Sequence, residues 1–254
     1  MNFEEFWTRG DVHERVKIAL KEANLLEKKI EIEDLFPLDQ YHARGIAATI
    51  ELADKLNFTK NSNIVDIGCG LGGPARYFSK RFNCNVYGID ITTAFIEIGD
   101  YFNKLTQIDH QVKLLKGDGE NLPYQTEFFD GAVSQHVTMN IEDREQFFNE
   151  AFRVLKKGAI FGFSEHGLGT KGSPIFPLPW ADNEDMSFLK TPEYTKSVLK
   201  KIGFKNIEII STGEKYISGY NSLLKKGQSN EKPTLGIHVI CLLYTSDAAD
   251  DDTR

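Results

Sequence analysis

Cysteine is scarce in this chain: 3 residues in 254, at Cys69, Cys84 and Cys241. They have neither the short paired spacing of a structural metal site nor the density of a disulfide framework, and this usage suits a reducing cytoplasm. Long apolar runs are missing too. No stretch approaches the ~20 residues that cross a bilayer, and the first residues lack the pattern of a secretory signal. Positive charge is in deficit: 30 Lys and Arg against 37 Asp and Glu leave a formal net charge of −7, so the chain as a whole gives a nucleic-acid partner no electrostatic support. Internal repeats and Pro- or Ser-rich linkers are absent, and the chain reads as one domain.

What is there is ordinary for a globular protein, with 41% hydrophobic and 26% charged residues. Some of the acidity lies apart from the rest. Tyr244 to Arg254 has no periodicity, follows an apolar run abruptly, and holds four Asp and one Arg in its last ten residues. It reads either as non-native, adaptor-like sequence or as a disordered acidic tail. The domain is therefore placed in residues 1–243.

The chain is organised around Asn63-Ile-Val-Asp-Ile-Gly-Cys-Gly-Leu-Gly-Gly-Pro74. An apolar strand runs into a turn in which Gly68, Gly70 and Gly72 permit positive φ and close ligand approach, and Pro74 suits the first turn of a helix. Strand, glycine turn and helix N-terminus make a nucleotide cradle at the carboxyl end of a parallel sheet. Two ligands compete for it. Gly68-x-Gly70-x-x-Gly73 fits a dinucleotide fingerprint, with Asp90 as the ribose acid. Asp66, a carboxylate inside the strand, points awkwardly at a pyrophosphate but suits a ligand that carries an ammonium group.

Val65 to Phe78 resembles the first motif of class I S-adenosylmethionine (SAM) methyltransferases, above all the small-molecule group that includes the sterol, tocopherol and ubiquinone-pathway enzymes. The resemblance implies a Rossmann-like α/β fold: a mostly parallel, seven-stranded-type sheet, helices on both faces and an N-terminal helical cap. Asp90 and Asp118-Gly119 match the family's second and third cofactor motifs. The residues that fall at the carboxyl ends of the expected strands, where ligands of such sheets bind, complete the cofactor set: Asp66, Gly68, Cys69, Gly70, Gly72, Asp90, Ile91, Asp118, Gly119, Glu120 and Gln135, with Tyr41 from the segment before the sheet.

Periodicity supplies the elements. Strands are expected at 64–68, 85–90, 112–117, 130–136 and 159–165, with helices at 74–82, 93–105 and 141–156, a βαβ rhythm. The last helix would be capped by Asn140, bury Phe147, Phe148, Ala151, Phe152 and Leu155, and end at Lys156-Lys157-Gly158. Before the sheet, residues 1–58 read as a helical cap. Asp11-x-x-Glu14 is a capping box, Pro37 punctuates, and Asp39 caps a helix to Leu56 that buries Ile46, Ile50, Ala53 and Leu56. Residues 59–166 would then form the cofactor-binding core. Gly167 to Lys190, rich in Gly and Pro, reads as an acceptor lid. A helix capped by Thr191 and ended by Gly203 follows, then a strand at Ile207 to Ser211. Leu235 to Leu243 fits a closing strand by its apolar pattern, whereas the resemblance puts Leu235-Gly-Ile-His238 before one more helix, with the closing strand only after it and so missing here.

Methyl transfer needs positioning in a water-poor cleft and, for an oxygen or nitrogen acceptor, a base. His136 and His42 are the candidate bases, because an ordinary histidine pKa near 6.5 suits proton removal at neutral pH. Each could equally be a hydrogen-bonded wall residue. Trp180 and Glu165 are placed at the acceptor, and no metal site is expected. The reading is transfer of a methyl group from SAM to a small-molecule O, N or C acceptor. An NAD-dependent oxidoreductase and a non-catalytic SAM-binding protein are the alternatives. The chain is expected to be cytoplasmic, without a membrane span or a nucleic-acid partner.

Overall fold

In the computed structural model the described residues are 11–40, 42–170, 172–219 and 234–240. Ile64, Val65 and Ile67 are wholly buried because β1 (Asn63–Ile67) is central and covered on both faces, which is why it reads as an apolar run broken only by Asp66. It is flanked by β2 (Asn85–Asp90) and β3 (Val112–Lys116) on one side, and by β4 (Phe129–Gln135) and β5 (Leu155–Ser164) on the other. The order is β3-β2-β1-β4-β5 and every pairing is parallel. Strand order therefore reverses between β1 and β4, where ligands of such sheets bind at the carboxyl ends. Five strands stand among the described residues, against the seven-stranded type expected.

The crossover helices are α4 (Gly73–Phe82), α5 (Thr93–Leu105) and α6 (Arg144–Val154). Helix α6 corrects two expectations. Asp143, not Asn140, caps it by accepting from Gln146 N, and it stops at Val154. Lys156-Lys157-Gly158 belongs to β5, which bulges there: Phe129 pairs with Leu155 but Gly131 with Ile160, and Gly158 takes φ +82°. Phe152 is not core. It is 43% exposed, edge-on to Phe204 beyond α7 (Pro192–Ile202). Thr191 caps α7 as expected.

The cap departs further from expectation. Helix α1 (Val12–Glu22) starts at Asp11, whose side chain accepts from Glu14 N, and buries Val12, Val16, Ala19 and Leu20. Helix α2 (Ile32–Asp39) runs through Pro37, whose missing N–H leaves the Glu33 carbonyl without its usual helical donor. Asp39 is therefore the last residue of α2 and not the cap of the next helix. A turn with Arg44 at φ +67° and Gly45 at φ +52° separates it from α3 (Ile46–Ala53). Helix α3 buries Thr49 and Ala53; Ile46 is only partly buried and Ile50 is 38% exposed, against the face expected.

Ile207 to Ser211 is not a strand. Ile207 packs on the core, but Ile209 and Ile210 are about half exposed and no neighbouring strand pairs with them. The closing-strand reading of Leu235 to Leu243 is corrected over its described part: α8 (Ile237–Ile240) is helical and already includes Ile237 and His238. It packs on α1, where Arg15 Nε and Nη2 donate to the carbonyls of Val239 and Ile240. Residues 241–254, with Cys241 and the acidic tail, lie outside the described residues.

Candidate active site

The glycine turn is built as its sequence requires. Gly68 has φ +78°, and a Cβ there would lie 2.2 Å from a methyl of Val137. Gly70 and Gly72 also take positive φ, and Gly72 is the N-cap of α4. The amides of Gly68 and Cys69 both donate to the Ile89 carbonyl, at 2.7 and 3.0 Å. Asp90 braces the same turn. Its Oδ2 accepts from Gly70 N at 2.8 Å and its Oδ1 from Thr92 N at 2.9 Å, while Thr92 rather than Asp90 stands at the N-cap of α5. Cys69 is buried, and burial raises its thiol pKa well above the ordinary range, so the residue offers backbone and not a nucleophile.

Beneath the turn sits Asp66, 1% exposed, whose Oδ2 has no hydrogen-bond partner among the described residues. Burial, and secondarily the negative charge of Asp90, pushes its carboxyl up to about 7. A buried carboxylate without a partner is costly, and a cation brought to it relieves that cost. Beyond β3, Asp118 Oδ1 accepts from Glu120 N in a tight turn. A Cβ on Gly119 would lie 2.9 Å from the Phe147 ring, so the backbone is held close to that ring. Burial and the neighbouring carboxylates, Asp118 first among them, raise the Glu120 pKa. Ile91, 51% exposed, lies at the rim.

Opposite these groups runs a column of rings. His42, from the turn before α3, stacks on His136, which follows β4, with centroids 5.6 Å apart. His136 meets His166, after β5, at 4.5 Å, and His166 stacks on Trp180 at 4.5 Å. Burial lowers the pKa of His42 and of His166 to about 4. It holds His136 well below 6.5, helped by the two neighbouring imidazoles. The expectation of an ordinary histidine pKa at His136 is thus corrected: the desolvated rings stay neutral. His136 also takes φ +57°, uncommon for a residue with a side chain, and its Nδ1 is buried without a partner among the described residues.

A buried polar hub carries the column into the cap. Thr49 Oγ1 lies 2.7 Å from Gln40 Oε1, 3.2 Å from Gln135 Oε1 and 3.0 Å from His42 Nε2. No local sequence signal pairs residues so far apart. Tyr41, a cofactor candidate, lies outside the described residues.

Trp180 is 6% exposed, and its Nε1 donates to Ser187 Oγ. It packs with Met139, Ala181 and Met186, and Phe176, Leu178 and Leu189 join them, so the flap at 172–190 has its own small apolar cluster. Glu165 is placed differently from expectation. It does not line the cleft; Arg144 Nη1 donates to its Oε2 at 2.7 Å, Thr195 to its Oε1 at 3.0 Å, and Thr138 to Oε2. Arg144 is 1% exposed and also donates to the Thr138 and Phe188 carbonyls, so the pair ties β5 to the flap and to α7. His166, next in sequence, takes the wall position instead.

One cavity of about 1660 Å³ is lined by both sets of groups, from Asp66, Gly68, Asp90 and Asp118 to His42, His136, His166 and Trp180. Sites for one small molecule usually measure about 300–1,000 Å³, so two reactants fit side by side. Among the described residues no group of three or more His, Cys, Asp or Glu is arranged to hold a metal, and no helix is long and apolar enough to cross a membrane.

Comparison with known proteins agrees with this architecture. Residues 65–163 match the family model described as a methyltransferase domain. Among curated relatives, the sterol 24-C-methyltransferase of Candida albicans is 32% identical over 114 residues, 45% of this chain and 30% of that protein. The sarcosine/dimethylglycine N-methyltransferase of Halorhodospira halochloris is 29% identical over 175 residues, 69% of this chain and 62% of that protein. The chain thus spans from under a third to under two thirds of the length of these relatives. The fold is shared with phosphoethanolamine N-methyltransferase 2 of Haemonchus contortus, solved in complex with S-adenosyl-L-methionine. The TM-score is 0.74 at 19% identity, over 99% of this chain and 54% of that one.

Proposed function

We propose that this chain transfers a methyl group from SAM to a small-molecule acceptor. The observation that carries the reading is Asp66, a buried carboxylate with one unpartnered oxygen beside a glycine turn, in a cleft with room for a second reactant. That combination favours a ligand bearing an ammonium and a sulfonium, and it repels the pyrophosphate of a dinucleotide. Volume beyond one ligand argues likewise against a purely SAM-binding role.

When bound, SAM supplies an electrophilic methyl group on a positively charged sulfur. The residues of this chain then have distinct tasks. Asp66 and the Gly68–Gly70 backbone receive the methionine end, Asp90 the ribose hydroxyls, and Asp118-Gly119 with Glu120 the adenine edge. Ile91, Gln135 and the flap exclude water. The rings of His42, His136, His166 and Trp180 hold the acceptor flat against them. The neutral His136 Nδ1 can take a proton from an O–H or N–H acceptor, with His42 stacked behind it. We place the protein in the cytoplasm, where its buried free thiols Cys69 and Cys84 stay reduced, and read residues 1–243 as one domain.

Calorimetry against SAM, S-adenosylhomocysteine and NAD, followed by an acceptor screen for methyl transfer, tests the reading. SAM is expected to bind in the micromolar range, roughly −8 kcal/mol. Tight NAD binding without a response to either adenosyl ligand would overturn it.

A further inference from the structure

Asp39 ends α2 at the glycine turn, and only half of its carboxylate is satisfied. It is 2% exposed and lines the cavity. Its Oδ2 accepts from Arg76 Nη2 at 2.9 Å, whereas its Oδ1 is buried with no partner among the described residues. Arg76, itself 0% exposed, fixes the geometry from below: Nη2 also donates to the Leu71 carbonyl at 2.6 Å, and Nη1 to Asn103 Oδ1 at 2.7 Å. One guanidinium thus holds the glycine turn and the end of the cap together. The contact is tight. A Cβ on Gly73 would lie 2.3 Å from the Asp39 carbonyl oxygen and 2.7 Å from its Cγ, so only glycine lets α2 come this close.

The cleft therefore has two buried carboxylates, each with an oxygen that has no partner among the described residues: Asp66 from the sheet and Asp39 from the cap. We infer that Asp39 Oδ1 binds the ammonium group at the amino-acid end of the cofactor, so that the cap supplies one side of that subsite and the sheet the other. The inference depends on the proposed use of SAM. Burial raises the Asp39 carboxyl to about 6 although Arg76 opposes it, so the group is mostly ionised at neutral pH and can act as the counter-ion. Arg76 touches no ligand in this scheme; it positions Asp39.

The test is calorimetry on the full chain with two ligands that share adenosine and sulfur. S-adenosylhomocysteine has the amino-acid end, and 5′-methylthioadenosine lacks it. Asp39→Asn, nearly isosteric, is expected to weaken S-adenosylhomocysteine about 10–100-fold, the range of a charge-assisted hydrogen bond, and to leave methylthioadenosine within twofold. Retained methylthioadenosine binding also reports that the variant is folded. Asp39→Glu, which keeps a carboxylate for Arg76, is expected to retain the preference for S-adenosylhomocysteine. Equal losses for both ligands, or no loss for either, would show that Asp39 only docks the cap. A wild-type chain that binds neither ligand overturns the cofactor reading itself, and this inference with it.

Discussion

The rings of His42 and His136 are stacked parallel, 5.6 Å between centroids and 3° between planes, although one belongs to the cap and the other to the end of β4. Each keeps the other from water, and both are held neutral by burial. At saturating substrates kcat is therefore expected to show no histidine limb between pH 6 and 8. His136→Ala should lower kcat by about 10²–10⁴-fold if the ring receives a proton, without altering the pH profile in that range. A wild-type limb near pH 6.5 that disappears in the mutant would contradict the neutral stack.

Asp66 sets the pH dependence of binding. Its folded pKa, about 7, lies above the usual carboxylate value, so without ligand it favours folding most fully below about pH 4. That contribution is lost as pH rises through 7, at about 1.4 kcal/mol per pH unit across the window. Asp66→Asn is thus expected to raise the melting temperature of the ligand-free protein at pH 8 and to change it little at pH 4. Affinity for SAM should do the opposite: it rises with pH to about 7 in the wild type, and is weak and flat in the variant. Melting curves with and without ligand, at several pH values, report both effects.

The Arg144–Glu165 pair is a structural knot, and its failure should look like one. Glu165→Ala leaves a guanidinium that is 1% exposed without its counter-ion, a loss of the order of 3–5 kcal/mol. Denaturant melts are expected to show that loss, while SAM affinity in the folded fraction stays within twofold. A variant with wild-type stability and a raised acceptor KM would instead return Glu165 to the acceptor wall.

Trp180 offers the contrasting case. Stacked on His166 and lining the cleft, it is expected to govern acceptor binding. Trp180→Ala should raise the acceptor KM, Trp180→Phe should restore much of it, and neither should move SAM affinity. Equal effects on both substrates would make it packing alone.

The sheet was largely legible because its signals are local: β1 announces itself in three apolar positions, and the glycine turn in positive-φ requirements that no other residue meets cheaply. The cap was misjudged for a local reason as well. Pro37 and Asp39 look like a break followed by a cap, but α2 runs on through the proline, and Asp39 is held by Arg76, 37 positions away. The same holds for Thr49 with Gln135 and for Arg144 with Glu165. Partners distant in sequence leave no periodicity, so a polar residue destined for burial looks the same as one destined for solvent. Ile207 to Ser211 shows the converse, since β-branched residues make a strand only where an edge accepts them.

The bulge at Gly158 acts on the far end of the sheet. From Phe129 to Gly131 the chain advances two residues along β4, while β5 advances five between their partners, leaving three residues to be absorbed. Because three is odd, everything after it exchanges faces relative to a regular ladder. Gln135 faces Ser164 as a result, and His166, rather than Phe163, comes to the rim beside His136. Deleting the three extra residues would restore a regular ladder and leave Gln135 opposite Ser164, whereas straightening β5 at full length would carry Phe163 to the position that His166 holds.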